Sequence, residues 1–203
     1  MSRLTQLFHN WLLEDLEEPV IREHDEFMLR LRPGDIVLVQ GRTRVAKYIG
    51  KLTKSQWTHA ALVTYHTDDH GYYKGIQAEI GTRTGYIDLG TLRHSKMCIL
   101  RPVNMTGADI TKTLRHAETH IGMLYNLRHI LDWLRYLVMP TEFLRRAKSC
   151  LFNKALMPRD KEICTYMIAK SYQAAGVRLA DNLRTIAPGD LYNHNEFEVV
   201  HED

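Results

Sequence analysis

Two hundred and three residues, 44% hydrophobic and 25% charged, supply enough apolar material for one packed core and match the size of a single domain. Twenty-seven Lys and Arg against 24 Asp and Glu leave +3 with histidine neutral, too small a surplus to bind nucleic acid by field strength. Three cysteines, Cys98, Cys150 and Cys164, are too few for a disulfide framework and form no C-x-x-C pair, which fits a reducing, cytoplasmic setting and argues against structural zinc.

At the N-terminus, Leu4, Leu7, Phe8, Trp11 and Leu12 fall on one helical stripe, predicting a helix over 3–17 that ends before Pro19. Thr5, Gln6, His9 and Asn10 interrupt it too often for the apolar core of a signal peptide. No stretch reaches the roughly 20 apolar residues that span a bilayer. A soluble chain, or one peripheral to a membrane, is expected.

Arg32-Pro33-Gly34-Asp35 is turn chemistry, and Ile36-Val37-Leu38-Val39 after it reads as a short buried strand. Residues 57–65 predict a second strand, and the cluster Asp68-Asp69-His70-Gly71 turns it into a third at Tyr73–Ile80. Shorter segments around Tyr86–Leu89 and Met97–Leu100 complete a β-rich part over about 35–101. From Ala108 the period changes to that of a helix, stopped by Gly122. Residues 128–157 are apolar and basic together and predict a helical insertion. Its Trp133 and Leu stripe, flanked by Arg128, Arg135, Arg145 and Arg146, suits core packing, a lid, or a peripheral contact with anionic lipid. A last helix, Lys161 to Ala175, closes at Gly176, and the turn Pro188-Gly189-Asp190 precedes a polar tail. Helix, sheet, then helices is an α+β order, with an antiparallel sheet packed against helices.

Cys164 lies in the first turn of that last helix, where unpaired N–H groups and the dipole favour a thiolate. A thiol nucleophile needs a base, and His59, carried on a strand, is a rigid one. A third group must fix the imidazole's tautomer, and the next strand offers Gln77 and Glu79 on one face. Each of these has a bland alternative: a buried inert thiol, a core histidine, a solvated strand glutamate.

The ordered set Pro33-Gly34-Asp35-Ile36-Val37, Trp57-Thr58-His59-Ala60-Ala61, Ala78-Glu79-Ile80-Gly81 and Ile163-Cys164-Thr165-Tyr166 resembles the circularly permuted papain-like amidases. These are the YiiX/YaeF-like branch of the NlpC-type cysteine peptidase superfamily, related in turn to lecithin retinol acyltransferase-like enzymes. The likeness covers roughly residues 32–105 and 160–192. It implies a permuted papain-like fold in which the histidine strand precedes the cysteine helix, with Cys164 as nucleophile, His59 as base and Glu79 as orienter. It implies no cofactor and no metal. Tyr125, Tyr166 and Trp57 are the expected substrate contacts. Two departures stand out: Cys164-Thr165-Tyr166 where relatives commonly carry Cys-Ser-Glu, and Tyr125-Asn126 where they carry a Tyr-Asp pair.

Hydrolysis of an amide through a thioester is the expected activity, on a small-molecule, peptide or lipid-like substrate. A lipid acyl hydrolase or acyltransferase with the same residues is one alternative, and a silent binding or membrane-surface module is another. Two further signals stand apart. His116 and His120 are four apart on a helix but have no third ligand in view, which favours surface histidines. Arg42, Arg44, Lys47, Lys51 and Lys54 form a basic stretch, read as a solvated loop or helix face, that would suit an anionic substrate only if it met the site.

Overall fold

The computed structural model describes residues 10–11, 14–15, 24–78, 83–92, 94–125, 161–162, 164–183 and 186–202. In chain order these form α1 (His24–Arg30), β1 (Ile36–Gln40), α2 (Arg44–Thr53), β2 (His59–Thr67), β3 (Tyr73–Gln77), β4 (Gly85–Asp88), a 3₁₀ turn (Leu89–Leu92) and β5 (Lys96–Pro102). They continue with α3 (Gly107–Glu118), β6 (Leu124–Tyr125), β7 (Lys161–Glu162), α4 (Cys164–Ala174), α5 (Pro188–Tyr192) and β8 (Phe197–Glu202). The expected insertion at 128–157 and most of the expected helix at 3–17 lie outside the described residues. No helix among those described is long and apolar enough to cross a membrane.

Six strands form one antiparallel sheet in the order β4-β3-β2-β1-β5-β8. Its centre is covered on both faces, which explains why Ile36–Val39 is a continuous apolar run rather than an alternating one. Ile36, Leu38, Ala60, Leu62 and Leu100 face Leu114 and Ala117 of α3 and Met167, Ile168 and Tyr172 of α4. Val37, Val39, Ala61, Val63 and Ile99 face Phe27, Met28, Leu31 and Leu89. Gly34, in the turn before β1, has φ +91°. A Cβ there would stand 2.6 Å from Ile110 Cδ1, so only glycine lets α3 pack so close.

Of the basic stretch, Arg44, Lys47 and Lys51 lie on the helix α2, one of the two forms expected, begun by Thr43, whose Oγ1 accepts the Ala46 N–H at 3.2 Å. Three expectations change. The second strand starts at His59, because Trp57 and Thr58 leave the ladder for the loop after α2. The polar tail is strand β8, paired with β5. The last helix starts at Cys164, not Lys161, because Lys161 and Glu162 pair in parallel with Leu124 and Tyr125.

Candidate active site

His59 opens β2 opposite Val39 of β1. The loop before it is pinned by Thr58, whose N–H donates to the Val39 carbonyl at 3.0 Å and whose Oγ1 accepts the Gly41 N–H at 2.9 Å. The ring Nε2 lies 2.6 Å from Oε1 of buried Gln77 on β3. An amide oxygen only accepts, so Nε2 carries the proton. Nδ1 is then the basic nitrogen left for the Cys164 thiol, to which the imidazole is hydrogen-bonded.

Cys164 is the first residue of α4 and only 4% exposed. Burial is the largest single influence on its thiol and pushes the pKa up. The hydrogen bond and charge of His59, with backbone N–H groups of Ala60 and Thr165, together outweigh it, so the thiol titrates below its ordinary value. The Ala60 donor is informative, because it comes from the second residue of β2. The sheet thus supplies part of the thiolate's stabilisation, and the start of α4 supplies the rest.

The three side chains Cys164, His59 and Gln77 therefore meet, although they come from opposite ends of the chain. Glu79 lies outside the described residues, and of the two orienters offered by the sequence it is Gln77 that is seen to bond His59. Trp57 is 2% exposed and packs in the core, its ring 5.9 Å from that of Tyr192. Tyr166 is half-buried on α4 with Lys170 Nζ 5.3 Å from its ring. The Tyr125 backbone pairs with Glu162, two residues before Cys164, while its side chain is outside the described set.

The other sequence signals have partners of their own. Arg42 and Arg44 are paired with Asp15 and Glu14 at 2.7 and 3.0 Å. The rings of His116, on α3, and His120, just past its end, lie 4.9 Å apart and tilted, and His116 Nδ1 lies 3.4 Å from Ser171 Oγ. The expectation of surface histidines is wrong for His120, which is buried where α3 ends. Among the described residues no group of three or more His, Cys, Asp or Glu side chains is placed to hold a metal ion. Among the described residues neither Cys98 nor Cys164 is in a disulfide.

No family model matches the chain, and no curated protein does. Among solved structures, that of the metalloprotein yiiX from Escherichia coli O157:H7, a DUF1105 protein, aligns with a TM-score of 0.61 over 85% of this chain and 97% of that one, at 15% identity. The fold is yiiX-like. It agrees with the α+β class expected from the element order and with the permuted papain-like class that the resemblance implies, and at that identity the likeness speaks for the fold alone. The yiiX-like arrangement brings Cys164 and His59 together across more than a hundred residues of sequence, which no local pattern encodes.

Proposed function

We propose that the chain is a cysteine-dependent amide hydrolase of the NlpC-type superfamily, working through a thioester with Cys164 as nucleophile, His59 as acid and base, and Gln77 as orienter. The hydrogen-bonded run from Cys164 through His59 to Gln77 carries the reading, because a buried thiol held below its ordinary pKa by an imidazole is a costly arrangement with no packing benefit.

The thiolate attacks the carbonyl carbon, forming a C–S bond and a tetrahedral oxyanion. The backbone N–H of Cys164, at the start of α4, is a fixed donor for that oxygen. Collapse breaks the C–N bond as the His59 imidazolium gives its Nδ1 proton to the departing amine. Neutral His59 then takes a proton from water, which attacks the thioester. The acid leaves, Cys164 regains its thiolate and His59 its second proton. Gln77 holds Nε2–H throughout, so the ring cannot turn its basic nitrogen away. The same steps serve an ester carbonyl, and the apolar, basic sequence at 128–157 is the feature that would favour a lipid-like one.

Incubating the protein with a p-nitrophenyl ester and an activated amide, followed by peptide mass spectrometry, tests the reading. An acyl mass on the Cys164 peptide that is absent in C164S is expected, at a rate at least tenfold lower in H59A. Acylation spread evenly over the thiols, or unchanged by H59A, would refute it.

A further inference from the structure

Thr165 follows Cys164 and is buried. At the second position of α4 no carbonyl lies one turn earlier within the helix, so its hydroxyl is free to bond outward. It donates to the Ile186 carbonyl at 2.7 Å. Directly after Ile186 the chain makes a tight turn, closed by the Ala187 N–H to Asp190 Oδ2 at 2.7 Å and by Asn193 Nδ2 to the Gly189 carbonyl at 2.9 Å. Gly189 lies against Ser55. A Cβ on it would stand 2.5 Å from Ser55 Oγ and 2.6 Å from Ser55 Cβ. Ser55 Oγ in turn accepts the Trp57 N–H at 3.1 Å, two residues before His59. Tyr192 of the same turn packs on the Trp57 ring.

One short piece of chain, Ile186–Tyr192, therefore grips both the residue after Cys164 and the loop that delivers His59. We propose that this turn is a brace that sets the spacing of Cys164 and His59, with Thr165 and Gly189 as its positioning residues. The inference rests on the hydrolase reading above and adds to it a pair of residues that never touch substrate. Spacing matters here because the thiolate survives burial only through close contact with His59 and two N–H groups. Hydrogen bonds weaken steeply with distance and misalignment, so a small shift returns the thiol to the protonated form.

The test is the pH dependence of Cys164 carboxamidomethylation by iodoacetamide in the full chain, followed by mass spectrometry with Cys98 as internal control. T165V should raise the midpoint by about one pH unit and lower the neutral-pH rate about tenfold, since one unit of pKa is tenfold in thiolate at pH below the midpoint. T165S, which keeps the hydroxyl, should restore the wild-type profile. G189A acts from the His59 side by displacing Ser55 and should move the midpoint the same way. If T165V and G189A fold, by circular dichroism, and keep the wild-type midpoint, the turn is merely structural and the brace is refuted. If T165V does not fold, G189A alone decides. A wild-type midpoint no lower than an ordinary thiol, or one insensitive to H59A, overturns the hydrolase reading itself and takes the brace with it, an outcome seen before any brace variant is made.

Discussion

Gln77 bonds Nε2 of His59 with a neutral oxygen, and that choice limits how strongly the imidazolium is stabilised. Replacing Gln77 by Glu puts a carboxylate 2.6 Å from the ring and favours the charged imidazole. In Q77E the upper limit of the pH range over which His59 stays protonated beside the thiolate should rise by about one unit, seen as a shift of the alkaline limb of turnover or in the histidine NMR titration. An unchanged limb would mean that Gln77 does not orient the ring. H59A has the opposite sign at Cys164. Burial, the largest influence, then faces only the N–H groups of Ala60 and Thr165, so the thiol midpoint should climb and neutral-pH alkylation should fall. Cys164 and His59 were both legible in the sequence as a thiol at a helix start and an imidazole on a strand. The third partner was not, because Gln77 and Glu79 share a face by the two-residue period, and it is the reach of a side chain across β2 and β3, seen in the Gln77 Oε1 to His59 Nε2 bond, that picks the partner, which local sequence does not encode.

Two Pro-Gly-Asp turns hold the cysteine helix α4 at its two ends. The second acts near Cys164 through Ile186 and Thr165. The first acts near the helix's far end, where the Tyr172 hydroxyl donates to the Gly34 carbonyl. Asp35 fixes that first turn from within: it accepts the Arg32 N–H at 2.8 Å and is gripped by Arg101 through two bonds of 2.9 and 2.7 Å. Both partners are largely shielded from water, so removing one leaves the other charge uncompensated. D35A should cost about 3 kcal/mol or more, within the range for broken buried pairs, read as a lower urea midpoint at unchanged slope. Y172F should cost about 1 to 2 kcal/mol by leaving the Gly34 carbonyl unmet. Loss of less than half a kcal/mol in both would show that the turn is held by packing alone. The sequence marked each Pro-Gly-Asp as a turn from local chemistry. Their partners, Arg101, Tyr172, Thr165 and Ser55, lie between 21 and 138 residues away by number, and turn chemistry carries no information at that range.

Across the whole molecule, 15% identity to yiiX over 85% of the chain means that the architecture is kept by burial pattern rather than by particular residues. The strands that read most clearly, β1 and β2, are those covered on both faces. The longest strand that did not read is β8, because an edge strand is half solvated and its Phe-Glu-Val-Val-His-Glu order shows no clean alternation. Yet β8 closes both layers. Phe197 meets Tyr172 edge-on at 5.3 Å on the α4 side, and His201 meets Phe27 edge-on at 5.7 Å on the other. Gln56, three residues before His59, bonds Glu202 at 3.1 Å. Ending the chain at Glu196 therefore strips the β5 edge, uncovers Tyr172 and loosens the loop that leads to the site. About 1 kcal/mol goes with the half-buried Phe197 ring alone, and an unpaired β5 edge invites aggregation. The truncated protein should melt about 4 °C lower or more, on the order expected for 2 kcal/mol or more in a domain of this size, and should sediment as aggregate on mild heating. A truncated chain with the full-length melting point and monomeric sedimentation would show that β8 is an ornament of the sheet and not its closing strand.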